Sequence, residues 1–206
     1  NLKKINNKPL IYYAINIAKK SKLINEVYVS TDSPKIKNIA IKYGAKVPFL
    51  RPKKISGDLS KDIEYIKHFF NYMKFKKKTV LVILQPTTPQ RSVKIIDNAI
   101  FQFIKKDGDS LRSVSLARET PYKMWVKRGK FMDPFLGKKF INFSNKPRQA
   151  LKKVYWQNGY VYITSNLTVR KFNNELGKKI IFFENDFLVD EIDYNFKNKN
   201  IQKKMN

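Results

Sequence analysis

The chain contains no cysteine and only one histidine. Without thiols there is no disulfide framework and no thiolate nucleophile, and without a His/Cys cluster there is no zinc site. His68 stands beside Phe69 on a helical pattern, which reads as a helix residue and not as a general base. No apolar run approaches the roughly 18 residues that a membrane-spanning helix needs. The lysines ahead of residues 10–18 are followed by no small-residue cleavage site, so the expected compartment is the cytoplasm. The chain also lacks the Gly-x-x-x-x-Gly-Lys-Ser/Thr loop and the Gly-x-Gly-x-x-Gly turn. Ser30 and Ser60 have no paired base, which argues against a serine hydrolase.

Acids are the other scarce class. Among 206 residues, 16 Asp and Glu face 43 Lys and Arg, a formal net charge of +27. Such a chain attracts anions: nucleic acid, nucleotides, acidic sugars or lipid headgroups. The excess is mostly lysine, spread among Asn and Ile as an A/T-rich coding sequence would spread it. Lys76-Lys77-Lys78 and Lys152-Lys153 could bind phosphates through counterion release. The basic residues do not gather on one element, however, and no RNP or helix-turn-helix signature appears, so a nucleic-acid partner is the weaker reading. At 42% hydrophobic and 14% aromatic the chain is a folded one, a single domain with room for an insertion.

The organising stretch is Thr79-Val80-Leu81-Val82-Ile83-Leu84-Gln85-Pro86-Thr87-Thr88-Pro89-Gln90-Arg91. Its uncharged aliphatic run suits a central strand buried on both faces of a parallel sheet. The two prolines hold Gln85 and Thr88 out of helix, which puts a ligand-binding type of loop past the strand's carboxyl end. Before it, Pro9 begins a helix with Leu10, Ile11, Ala14, Ile15 and Ala18 inward. Residues 27–31 read as a strand, Asp32 or Ser33 as the cap of the next helix, and Gly44 as its terminator. A helix follows from about 62 to 74, then one from Ser92 with Ile95, Ile96, Ala99, Ile100 and Phe103 inward, and strands at 110–116, 154–164 and 179–183. Strands alternating with helices predict a doubly wound α/β sheet. Residues 120–153 break the rhythm, with a hairpin about Arg128-Gly129, and read as an insertion.

Several motifs occur in a telling order. Asn1-Leu2-Lys3 with Lys8-Pro9-Leu10-Ile11, Val29-Ser30-Thr31-Asp32, Leu50-Arg51-Pro52 with Asp58, Leu84-Gln85-Pro86-Thr87-Thr88-Pro89, Pro147-Arg148-Gln149 and Asn158-Gly159-Tyr160-Val161-Tyr162-Ile163 resemble the motifs of the acylneuraminate cytidylyltransferases. The likeness to these CMP-sialic acid synthetases covers essentially the whole chain. Each motif alone is short; the ordered set is specific.

The resemblance implies a nucleotidyltransferase, Rossmann-like fold with a mostly parallel sheet, residues 120–153 serving as a small dimerisation segment. It implies transfer of CMP from CTP to the anomeric hydroxyl of an acidic nine-carbon sugar of the sialic, legionaminic or pseudaminic acid type, releasing pyrophosphate, for cell-surface glycans. It also implies Mg²⁺ and a homodimer. A cytidylyltransferase for the eight-carbon acid 3-deoxy-manno-octulosonate shares this logic and stays open, as does a non-catalytic basic nucleic-acid-binding module.

By the same resemblance Asn1, Arg51 and Asp58 surround the cytidine of CTP, Gln85 meets the acceptor sugar, Arg148 pairs with its carboxylate across the dimer, and Asn158 hydrogen-bonds in the same cleft. These residue types suit the chemistry: a guanidinium holds a base or a carboxylate, and an amide both donates and accepts towards hydroxyls. Mg²⁺ takes carboxylates, and Glu191 and Asp193 at i, i+2 share one side of an extended segment. The family shows Asp-x-Asp there, so Asp190 is the alternative to Glu191. Two departures stand out. The family's basic Gly- and Ser-containing phosphate loop would precede Asn1, so the chain is expected to lack its first strand and that loop. Trp156 stands where several members carry arginine. One rim shared by Arg51, Gln85, Asn158 and the acids near Asp193 is the geometric expectation.

Overall fold

The computed structural model describes residues 1–185. It divides into two units, the first of residues 1–113 and 159–183, the second of residues 114–158 with Glu184 and Asn185.

In the first unit a short hairpin, β1 (Lys4–Ile5) and β2 (Lys8–Pro9), leads straight into α1 (Leu10–Lys20). Asn6 and Asn7 make its turn with positive φ, a conformation asparagine accepts more readily than most residues. Pro9 therefore ends a strand and caps the helix, and Leu10 takes the first helical position. α2 (Pro34–Lys42) starts at Ser33, whose hydroxyl accepts from the Ile36 N–H at 3.3 Å. Gly44, at φ 87°, lets the chain turn back after it. Ile11 and Ile15 of α1 close over Ala40, Ala45 and Val47.

Residues 27–31 form no strand. Their extended backbone makes one parallel bridge, Tyr28 to Lys46, because the partner stretch soon reaches Pro48, which has no N–H to continue a ladder. Arg51 extends the pairing by one bond, its N–H donating to the Thr31 carbonyl at 2.8 Å.

α3 (Asp62–Met73) buries Ile66, Phe69 and Phe70 against Phe49 and Val169. β3 (Val80–Ile83) follows, then α4 (Val93–Lys106), β4 (Ser110–Leu116), β7 (Tyr155–Ser165), α5 (Asn166–Phe172) and β8 (Ile180–Glu184), with β5 (Trp125–Arg128) and β6 (Phe131–Pro134) between β4 and β7. The main sheet has the order β3-β7-β4-β8. Ile96, Ala99, Ile100 and Phe103 of α4 pack on Leu111, Tyr160, Val161, Ile163, Ile181 and Phe183 of the strands. Each such Ile or Phe, fully buried, contributes about 1.5–3 kcal/mol.

The α/β class expected from the sequence is the one observed, with a mixed sheet. β3 pairs antiparallel with β7, Val80 opposite Ser165 and Ile83 opposite Tyr162. Among the described residues β3 is an edge strand, half-buried at all four positions, and not the central, doubly covered strand the aliphatic run suggested. An uncharged run records apolar surroundings but not the number or direction of its neighbours.

In the second unit β5 and β6 pair antiparallel across a turn at Gly129, φ 60°. Tyr122 stacks on Phe143 at 5.4 Å, and Phe140 packs edge-on against Phe143. Residues 120–153 lie within this unit.

Candidate functional site

The carboxyl end of β3 opens into the loop Gln85-Pro86-Thr87-Thr88-Pro89, and Arg91 holds that loop shut. Two prolines remove two backbone donors, so the loop's carbonyls cannot all be satisfied locally. Arg91 supplies the donors. Its Nη2 donates to the Gln85 carbonyl at 2.9 Å and the Gly159 carbonyl at 3.1 Å, Nε to the Tyr160 carbonyl at 2.6 Å, and Nη1 to the Thr88 carbonyl. The Tyr160 hydroxyl accepts from the Ser92 N–H at 2.5 Å, tying the start of α4 to the same point of β7. Burial pushes the Tyr160 phenol above its ordinary pKa, so it stays a neutral hydroxyl here.

This bracing fixes the Gln85 backbone. The Gln85 side chain is half-buried, and its amide makes no hydrogen bond among the described residues. A polar group so placed is satisfied by water or by a ligand.

Arg51 is half-buried in the same unit. Its Nε donates to Ser56 Oγ at 2.9 Å, and the guanidinium lies 5.7 Å from the centre of the Tyr65 ring. Around Tyr65 runs a partly buried polar network that the sequence reading did not anticipate. Asp62 hydrogen-bonds Tyr65, and Arg112, its side chain 8% exposed, lies 4.4 Å over the Tyr162 ring and 3.7 Å from the Glu175 carboxylate. Burial, then the nearby Glu175 charge, raises the Asp62 pKa, with Arg112 opposing. Burial and the Asp62 charge raise that of Tyr65. Burial lowers that of Arg112, with the Glu175 carboxylate opposing. The network braces the ring beside which the Arg51 guanidinium lies.

Of the other expected residues in this unit, Asn1 is exposed and accepts the Ile11 N–H through its carbonyl at 3.2 Å, and Asp58 is exposed beside the fully projecting Leu59. In the second unit Arg148 is exposed and donates to Glu119 at 3.0 Å and to the Arg118 carbonyl. An exposed pair of this kind is worth about 0–1 kcal/mol, so the fork is readily drawn to a better anion. Asn158 is 0% exposed. Its Nδ2 donates to Ser115 Oγ at 2.7 Å and to Asn185 Oδ1, which makes it a pin inside its unit. Arg51, Asp58 and Gln85 thus belong to one unit, Arg148 and Asn158 to the other.

Among the described residues no group of three or more acidic or histidine side chains could hold a metal ion. Asp190, Glu191 and Asp193 lie outside the described residues. No described helix is long and apolar enough to cross a membrane.

Sequence reasoning picked out the Gln85 loop and passed over Arg91, Asp62, Tyr65, Arg112 and Glu175. A charged side chain amid the strand sequence Leu111-Arg112-Ser113-Val114 was the available signal for one of them.

Residues 1–124 match the family model described as cytidylyltransferase. The chain is 32% identical over 220 residues to the post-translational flagellin modification protein B of Campylobacter coli, covering 99% of this chain and 91% of that protein. It is 31% identical over 173 residues to the CMP-N,N'-diacetyllegionaminic acid synthase of Legionella pneumophila, covering 80% of this chain and 70% of that one. The structure superimposes on a CMP:2-keto-3-deoxy-manno-octonic acid synthetase complexed with CTP at a TM-score of 0.69 and 14% identity, over 99% of this chain and 90% of the other; at that identity the likeness is one of fold.

Proposed function

The chain belongs to the cytidylyltransferase family, and from that premise we propose that it transfers CMP from CTP to the anomeric hydroxyl of an acidic nine-carbon sugar. The observation that carries this reading is the similarity, across most of both chains, to a synthase of CMP-N,N'-diacetyllegionaminic acid. The sugar oxygen attacks the α-phosphorus of CTP, the bond to the β-phosphate oxygen breaks, pyrophosphate leaves, and the hydroxyl proton passes to solvent. Both reactants are anions, so catalysis rests on positioning and charge neutralisation.

The residue roles follow from what each side chain still has to offer. Arg51, fixed through Nε and by its ring contact, makes no hydrogen bond through its Nη groups among the described residues and directs them to the nucleotide, with Asn1 and Asp58 beside the cytidine. Gln85 offers its amide to the acceptor sugar from a loop that Arg91 immobilises. Arg148 exchanges Glu119 for the sugar carboxylate. Asn158 acts as a positioning residue through its bonds to Ser115 and Asn185. Asp190, Glu191 and Asp193 have the hard oxygens that Mg²⁺ takes, and the bound ion would neutralise phosphate charge. A homodimer belongs to the same proposal: β5 and β6 expose Trp125, Val126, Phe131 and Met132, the apolar content a partner subunit would cover. The reaction is one of the cytoplasm, where CTP is available.

Phosphorus NMR tests the reading. CTP and Mg²⁺ are incubated with the protein and, in parallel, sialic, legionaminic and pseudaminic acids and the eight-carbon acid. A phosphodiester signal and free pyrophosphate with at least one nine-carbon acid are expected. Transfer to the eight-carbon acid alone, or intact CTP with every acid, overturns it.

A further inference from the structure

At the amino end of β3 the structure has a second cationic feature. The connector from α3 reads Lys74-Phe75-Lys76-Lys77-Lys78, and the chain turns through Lys74 in the left-handed region, φ 49° and ψ 43°. α5 ends likewise on Asn173, φ 57°. Between these helix ends lies a cleft of about 830 Å³ lined by Lys67, Lys74, Lys76 and Arg170, with no carboxylate in its lining.

The cleft is held open in a defined form. Asn166 is buried, its Oδ1 accepting from the Thr79 N–H at 2.9 Å and its Nδ2 donating to the Lys77 carbonyl at 2.9 Å. The lysine connector is thereby fixed to the first residue of α5. Lys67 Nζ donates to Asn173 Oδ1, which orders one ammonium at the rim. Phe70 and the half-buried Phe75 form an apolar floor. Thr79 and Gln85 flank β3 on opposite sides, six residues apart along the chain, on the order of 20 Å at ~3.3 Å per extended residue.

We infer that this cleft is a second binding site, one for a small, multiply charged phosphate compound. Two helix carboxyl ends call for one cation each to balance their dipoles. Four cations around one hollow, two of them on a connector pinned by a buried amide, exceed that need. A nucleic-acid strand is read by cations ranged along a face or groove. Here they line one concavity together with Phe70 and Phe75, which suits a compact polyphosphate or a nucleoside phosphate.

Isothermal titration of the full chain with inorganic tripolyphosphate at physiological salt tests the inference. The wild type binds, and the double variant Lys74→Glu/Arg170→Glu loses that component or weakens it roughly tenfold or more, the loss of two charge-assisted contacts. Lys74→Gly guards against a folding artefact: glycine suits the left-handed turn, so its melting temperature holds or rises while binding weakens. Arg51→Ala, at the other site, leaves the cleft component in place. Absence of binding by the wild type overturns the inference. So does unchanged binding in both cleft variants, which makes the cations dipole caps only. Tighter, salt-dependent binding of a twelve-nucleotide oligo(dT) through the same residues overturns it in favour of nucleic acid.

Discussion

Arg91 answers carbonyls of Gln85, Thr88, Gly159 and Tyr160, two from the loop after β3 and two from β7. Carbonyl oxygens only accept, so this corner needs several donors in one plane, which the guanidinium supplies and an ammonium does not. Arg91→Met is expected to cost about 2–3 kcal/mol, since the carbonyls of buried Thr88, Gly159 and Tyr160 and of half-buried Gln85 lose charged donors. The urea midpoint should fall, and transfer activity should fall further because the Gln85 loop loses its brace. Arg91→Lys should recover less than half of the stability. A methionine variant as stable as the wild type would show that water serves these carbonyls equally well.

At the scale of elements, β8 pairs beside β4 in the sheet, and one carboxylate fastens the approach to both strands. Asp109 Oδ2 accepts from the Lys178 and Lys179 N–H groups, 2.8 Å each, and these bonds hold its pKa below the ordinary aspartate range. Unfolding then takes up a proton in acid, so the stabilisation is complete above the unfolded value of about 4 and is lost as pH falls through the folded value. Asp109→Asn should lower stability at neutral pH and flatten the acid limb of the melting curve below about pH 4. An unchanged limb would assign it to other carboxylates. Helices were the most legible elements: α3 begins and ends, and α4 begins, within a residue or two of the sequence bounds, because a helix buries one face by a pattern internal to itself. The 27–31 stretch and the edge position of β3 were not legible, since both depend on partners distant in the chain. The same division holds at the site. Two prolines announced the Gln85 loop locally, whereas Arg91 finds carbonyls 68 and 69 residues away, and generic backbone acceptors leave no mark in a sequence.

For the whole molecule, the exposed hairpin matters most. Phe131 is 82% exposed and Met132 59%, with Val126 also exposed. If these side chains meet a second copy, sedimentation of the wild type should give a dimer. Phe131→Asp/Val126→Asp should give a folded monomer with an unchanged circular dichroism spectrum. A variant that remains dimeric would move the interface elsewhere. Seven of the 43 basic residues are arginine, and five of them, Arg51, Arg91, Arg112, Arg128 and Arg148, have a described hydrogen bond, ion pair or ring contact through the side chain. The cations thus form two populations, a lysine majority that sets the electrostatic field and an arginine minority that fastens backbone and carboxylates. Exhaustive acylation of the ammonium groups would reverse the sign of the protein's field and leave its guanidinium clasps chemically untouched.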